Sequence, residues 1–541
     1  LRAWDACAWV VLAGLVVIVA LIFPHYGISN DEEVQHAYGG MLLSFYASRF
    51  ADQSAFHFKD LYYYGGLFDM VAILIERVLP LDIWDTRHLL SALIGILGIA
   101  AVWRLGRRLA GPAVGFVALA LLALTGAWFG AMFNHTKDIP FATALAWSLL
   151  FLCRILAELP RPSWPAVIGF GMTVGFALGL RVGAVIVVLP LAVGLAVWAA
   201  QQSGLAWRER GEALAQAGLR LLPAVILAYG VMAVSWPWSV LDPLNPMRAL
   251  AHFSTLNLSI QTIFEGQIMV IAEVPASYLP IYLVIKLPVV MLIGLLFAVG
   301  YALAHRYLPQ RLKTSSPQQR LGLIATAVAA AFPIAWFVIE DLPAYDGIRH
   351  FLFVVPPLAV LAAFGLVRAV EGAALIARPL AIGVAVAGAI ALVWQASVLA
   401  RLHPYEYVDY NALVGGLAGA QRRYVMDYWA NTVPEATRAL ISRLKMERPG
   451  ATFLGPYKVW VCNGRDAFEA VAPATLIWTN KAEEADFYIA PTHLNCDAPA
   501  GWAPHLLKGR TIYTVERFGV PLAVVRDRRS VIATLKGSPR G

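Results

Sequence analysis

The sequence predicts a polytopic α-helical membrane protein ending in a small α/β domain outside the cytoplasm. Three observations carry this. Of 541 residues, 59% are hydrophobic and 14% charged, where soluble domains carry about 25% charged residues. The apolar residues cluster into runs long enough to cross a bilayer. Near residue 399 the runs stop and short alternating strands begin. Mean hydropathy is +0.66, which excludes a disordered chain, a fibrous repeat and an ordinary cytosolic enzyme. Net charge is +8. In a soluble protein that would suggest nucleic acid. Here Lys and Arg sit mainly between apolar runs, where they set orientation and meet anionic lipid. Membrane lipids, and no nucleic acid, are the expected partners.

The first run covers residues 7–24. It lacks a small-x-small cleavage site and is expected to be a retained helix rather than a signal peptide. Further spans are expected at 88–104, 113–132, 140–157, 164–181, 183–200, 219–237, 283–303, 322–339, 351–369 and 379–398, about eleven in all. One set of loops holds Arg104, Arg107 and Arg108; Arg154 and Arg161; Arg208 and Arg210; and Arg306, Arg311, Lys313 and Arg320. The positive-inside rule puts these in the cytoplasm. Residues 25–86, 133–139, 238–281 and 340–350, and the tail, then lie outside. The expected domains are 1–398 in the membrane and 399–541 beyond it.

In the tail, alternation predicts strands at 451–454, 457–462, 486–490 and 511–516, with Asn, Pro, Gly and Thr between them. Cys462 and Cys496 both fall there. A disulfide fits an oxidising compartment; two free buried thiols are the alternative. No CxxC pair or His/Cys cluster suggests zinc.

The first outer loop opens Ser29-Asn30-Asp31-Glu32-Glu33. Val34, Ala37, Tyr38, Met41, Leu42 and Phe45 follow on one helical face, too short to span, so an amphipathic helix along the membrane surface is expected. Ser29-x-x-Glu32 reads as a capping box, and acids favour a helix N-terminus. Capping accounts for one or two of these acids, not for their place at the exit of the first span. The loop continues with Lys59 flanked by Phe58 and the run Tyr62-Tyr63-Tyr64-Gly65-Gly66. An interfacial aromatic belt with a snorkelling lysine is one account; a lipid-phosphate contact is the other. The second outer loop is Asn134-His135-Thr136-Lys137-Asp138-Ile139-Pro140, where Asp138 also suits a helix cap. Arg181 stands between two apolar runs, where a cation in hydrocarbon costs about 2.5–3.5 kcal/mol. Arg349-His350 opens another span. Outer-side cations thus recur at one depth, beside carboxylates.

Asp31-Glu32 after the first span, Lys59 with its tyrosines, the short Lys137-Asp138-Ile139-Pro140 loop, and Arg349-His350 before Phe353-Val354-Val355-Pro356-Pro357 resemble the GT-C superfamily of membrane glycosyltransferases. The bacterial members of glycosyltransferase family 39 are most similar. They are related to protein O-mannosyltransferases and the lipid A aminoarabinose transferase. His403-Pro404-Tyr405-Glu406-Tyr407-Val408-Asp409-Tyr410-Asn411 and Asp427-Tyr428-Trp429 look like a pattern of that group.

The resemblance implies a GT-C bundle in a bacterial cytoplasmic (inner) membrane, with its active site on the periplasmic face. The donor would be a polyprenyl phosphate carrying one sugar. The acceptor would be a hydroxyl on a lipid, glycan or protein, and the reaction would invert the anomeric carbon. Asp31 is implied as general base, with Glu32 as the other candidate or its partner. Lys59, Lys137, Arg181 and Arg349 are implied as donor-phosphate contacts. Tyr63, His135, Asp138 and His350 are further substrate-contact candidates. No cofactor is required by this pattern and no feature demands a metal, although some GT-C relatives use one. A transporter or flippase of lipid-linked sugars is the alternative; many transporters show duplicated halves, and no such symmetry is visible here.

Overall fold

The computed structural model describes residues 2–254, 260–310, 312–313, 316–447, 449, 455–498 and 508–532. Among the described residues, nine helices are long and apolar enough to cross a membrane. Those used below are α1 (Arg2–Ile22), α4 (Ile83–Ala110), α6 (Asp138–Ala157), α8 (Trp207–Ser235), α9 (Val289–Ala304), α10 (Val355–Ile376) and α11 (Arg378–Leu402). A tenth run, α5 (Pro112–Ala123) with Gly126–Asn134, bends by 68°. An eleventh, α7 (Trp164–Leu178), is shorter. Every expected span has a counterpart, and not all are one straight helix: 283–303 straddles the end of a helix at Lys286, an extended Leu287 and the start of α9. At 113–132 the break lies at Leu124–Thr125, where the Thr125 hydroxyl donates to the Leu121 carbonyl at 2.8 Å, a back-bond that bends helices. At 164–181 the helix stops before Arg181, whose backbone is extended.

Small residues set the closest crossings. A Cβ on Gly365 of α10 would fall 2.0 Å from the Gly294 carbonyl oxygen of α9. Backbones approach this closely in membranes because lipid supplies no hydrophobic drive, and association rests on packing contact.

The amphipathic helix is present as α2 (Glu32–Ala47), lying on α3 (Leu67–Glu76). Its buried stripe is Glu32, Gln35, Tyr38, Gly39, Leu42 and Phe45, rotated from the expected face. Val34, Ala37 and Met41 are half-buried, because α3 packs along the Gly39 side. The outer loop at 238–281 adds an unexpected hairpin, β1 (Gln261–Phe264) with β2 (Gln267–Val270).

The tail carries a five-stranded sheet in the order β4-β3-β5-β7-β6. Its strands are β3 (Tyr457–Val461), β4 (Leu476–Trp478), β5 (Phe487–Pro491), β6 (Arg510–Arg517) and β7 (Val520–Asp527). β3 pairs in parallel with β4 and β5, and β7 runs antiparallel to β5 and β6. Three of the four expected strands correspond; 451–454 lies outside the described residues. Cys462 and Cys496 are bridged, with Cα atoms 6.4 Å apart.

The segment between α11 and the sheet packs against the bundle. Tyr26 donates to Glu406 at 2.9 Å, and Lys286 Nζ donates to the Tyr407 and Asp409 carbonyls, both at 3.0 Å. Asn30 donates to Asn463 at 2.7 Å. The tail therefore sits on the end of the bundle that holds the acidic loop.

Candidate active site

Asp31 ends the turn that leads into α2. Its side chain makes no capping hydrogen bond. The cap is made by Glu32, whose carboxylate accepts from the Ser29 backbone N–H at 2.7 Å. Glu32 is also 3.3 Å from His88 and 4.0 Å from Arg87, and Arg87 pairs with Asp69 at 2.8 Å. The Glu32 side chain is fully buried in this network, whereas that of Asp31 is 38% exposed. Glu32, a sequence candidate for the base, is thus sealed from solvent beside Arg87 and His88, as a buried carboxylate needs a polar partner. Asp31 is left facing the site.

Arg349 gathers the carboxylates. Its guanidinium bonds Asp31, reaches Asp138 at 3.0 Å, and reaches Asp346 at 3.2 Å. Asp138 also bonds Arg181. The cluster joins the start of α2, the start of α6, the break before Val182 and the entry to α10. Asp138 begins α6, as capping predicts, yet its carboxylate is spent on two arginines. Arg349 stacks over Trp429 at 4.0 Å, and Lys137 lies over Tyr64 at 4.2 Å. A cation over an aromatic face gains when desolvated. Burial pushes Lys137 down to about 8 and raises Asp346 to about 6.

His135 is held by the tail. Trp429 Nε1, which can only donate, bonds its Nε2, and the Tyr428 hydroxyl lies 3.1 Å from the same atom. The proton of His135 is therefore on Nδ1, which faces Asp138 at 3.9 Å. Burial pushes this histidine down to about 3, so it is neutral. His350 packs edge-on against Tyr345, ring centroids 4.5 Å apart. A small cavity beneath Arg349 is lined by Ala127, His135, Lys286, Asp346, Tyr407 and Tyr428.

Two sequence candidates lie elsewhere. Lys59 is exposed, its Nζ 5.5 Å from the Phe58 ring, and its charge acts on Asp466 of the tail. Among the described residues it pairs with none of Asp31, Asp138 and Asp346. Tyr63 stacks on His252 at 4.1 Å and against Trp238. Its neighbour Tyr64 is the ring at the site, for a backbone reason: Gly65 N–H and Leu67 N–H bond the carbonyls of Leu180 and Gly179 at 3.3 and 3.2 Å. A Cβ at Gly65 would lie 2.1 Å from the Gly179 oxygen. Only glycine lets this segment dock beside Arg181 and carry Tyr64 in.

Sequence reasoning also missed Tyr64, Asp346, Trp429 and Tyr428 as site residues. The Asp427-Tyr428-Trp429 run was the available signal. Asp427 itself is fully buried; it accepts from Tyr407, from the Asn431 and Thr432 N–H groups at 2.9 and 3.1 Å, and from the Thr432 hydroxyl. It folds the turn that presents the two rings. The network of Glu32, Asp69, Arg87 and His88 had no such signal, because α2, α3 and α4 each contribute to it.

The candidate site is thus a pairing of arginines with carboxylates, open at Asp31 and walled by aromatics. Residues 77–229 match the family model of dolichyl-phosphate-mannose-protein mannosyltransferases. The matched segment carries Arg87, His135, Lys137, Asp138 and Arg181. No curated protein matches the chain. Matching solved structures include ArnT from Cupriavidus metallidurans bound to undecaprenyl phosphate, at 16% identity over 97% of this chain and 98% of that one, TM-score 0.46. The Archaeoglobus fulgidus oligosaccharyltransferase matches at 12% identity over 89% and 69%, TM-score 0.44. The arabinofuranosyltransferase AftD from Mycobacteria matches at 14% identity over 95% and 39%, TM-score 0.43.

Proposed function

We propose that the chain is an integral membrane glycosyltransferase that moves a sugar from a polyprenyl-phosphate donor to an acceptor hydroxyl on the periplasmic face. The observation that carries this is the exposed, uncapped Asp31 carboxylate beside Arg349, with Lys137 and Arg181 in the same cluster. The family match over residues 77–229 supports it.

In the reaction the acceptor oxygen bonds the anomeric carbon as the bond from that carbon to the phosphate oxygen breaks. The hydroxyl proton passes to Asp31. The bonding electron pair leaves with the polyprenyl phosphate, where Lys137, Arg181 and Arg349 stabilise the added charge. A single in-line displacement inverts the centre. Arg349 Nε and Nη1 are already engaged by Asp138 and Asp346, so donor phosphate competes with Asp31 for Nη2. Donor binding thereby frees the Asp31 carboxylate for the incoming hydroxyl.

The test uses the purified full chain in nanodiscs with a panel of polyprenyl-phosphate sugars and nucleotide sugars. Release of polyprenyl phosphate coupled to sugar transfer, absent with nucleotide sugars, is expected. Translocation of the intact lipid-linked sugar between leaflets, with no sugar released, would establish a flippase instead.

A further inference from the structure

The end of the bundle remote from Asp31 carries a second concave, charged feature. α4 and α6 both begin at the cluster, and the 20 residues of α6 carry its far end about 30 Å away. There the two helices enclose a cleft with about 970 Å³ of empty space, part of it open solvent, lined by Arg104, Arg107, Arg108, Arg154, Trp147 and Phe151. Trp147 is fixed in the wall by its indole N–H, which donates to the Leu97 carbonyl at 3.0 Å.

Helix-end charge does not account for the cleft. Arg107, Arg108 and Arg154 lie in last turns, where cations offset the helix dipole. Arg104 lies further back. Arg107 pairs with Asp5 at 2.7 Å, and Arg154 pairs with Glu158 at 2.9 Å. Among the described residues, Arg104 and Arg108 have no carboxylate partner, and both are exposed. Two uncompensated guanidiniums thus stand above an aromatic and aliphatic wall that continues into the hydrocarbon-facing surface. A soluble phosphate would use the charge and leave the wall idle. A phospholipid uses both, and basic pockets between helices at this depth suit anionic headgroups.

We propose that this α4–α6 cleft binds the phosphate of an anionic phospholipid, with Arg104 and Arg108 as headgroup contacts and Trp147 and Phe151 against the chains. The site is independent of the transfer reaction. Native mass spectrometry of the full chain, titrated with cardiolipin, phosphatidylglycerol and phosphatidylcholine, tests it. The two anionic lipids are expected to bind and the zwitterionic lipid not to. The double change Arg104→Gln with Arg108→Gln should weaken binding about 25-fold, at about fivefold per arginine. Arg104→Lys with Arg108→Lys should retain most of it, which separates charge from folding. Arg208→Gln, at an exposed arginine of another basic loop, should change little. Equal loss in Arg208→Gln would reduce the effect to diffuse attraction and overturn the site. Displacement of the lipid by millimolar inorganic phosphate alone would assign the cleft to a soluble anion and overturn the lipid.

Discussion

Asp31 and Glu32 are neighbours with opposite fates. Helical geometry turns Glu32 back to the Ser29 N–H and into the His88 and Arg87 network, and leaves Asp31 at the open end. Asp31→Asn keeps size and removes the base; transfer should fall by about 10²–10⁴-fold with donor binding retained. Glu32→Gln keeps one acceptor for Ser29 and leaves Arg87 paired with Asp69, but removes the buried charge beside His88 and Arg87, so it should cost stability, about 1–3 kcal/mol, more than turnover. Thermal melting beside single-turnover rates separates the two. Near-normal transfer by Asp31→Asn removes it as base. Lys137 gives a pH test. Burial places it at about 8, below the free value, so it is charged under that pH and neutral above it. If its ammonium holds donor phosphate, KM for donor should rise as pH increases through about 8. Lys137→Ala should show weaker donor use and a flat profile there. A rise of equal size in Lys137→Ala would assign that limb to another group.

At the scale of elements, the site depends on parts that contact no substrate. The turn after Asp427 is organised by its carboxylate and presents Trp429 to Arg349 and Tyr428 to His135. Asp427→Ala leaves the N–H groups of Asn431 and Thr432 without their acceptor, at about 1–3 kcal/mol for buried groups. Transfer should fall through kcat while the membrane bundle stays folded, which protease resistance of the bundle reports. Gly65 has a similar role for Tyr64. Gly65→Ala places a methyl against the Gly179 carbonyl, so the loop must shift, and donor KM should increase. The α2 face was anticipated as helical but rotated, because periodicity identifies a helix without saying which neighbour it meets. The 68° break at Leu124–Thr125 was likewise invisible to a hydropathy run, since both halves are apolar.

For the whole molecule, the distribution of arginines predicts the orientation. The end of α4 bearing Arg104, Arg107 and Arg108 lies at one end, and the tail packs on the other beside Asp31. Alkaline phosphatase fused after Gly541 should be active and a cytoplasmic reporter silent. The reverse result would put the candidate site in the cytoplasm and remove the proposed periplasmic acceptor. The Cys462–Cys496 bridge closes a separation of 34 residues and belongs to the same compartment argument.

Much of this was determined by the sequence alone. Apolar runs near bilayer length specify spans because a backbone in lipid must satisfy its own hydrogen bonds. The alternation after residue 455 specifies strands because side chains alternate across a sheet. Lys59, Lys137, Arg181 and Arg349 stood out together as outer-side cations recurring at one depth, Arg181 also because a cation in hydrocarbon is expensive. Tertiary structure alone decided which of them meet. Asp31, Asp138, Asp346 and Arg349 are separated by up to 318 positions, and no local pattern records such a contact. It decided that Glu32 is sealed and Asp31 open, that Tyr64 rather than Tyr63 faces the cations, and that Lys59 lies exposed beside Phe58. Each of these follows from packing between helices and from where a glycine permits two backbones to touch, quantities set by the assembled bundle rather than by any one segment of chain.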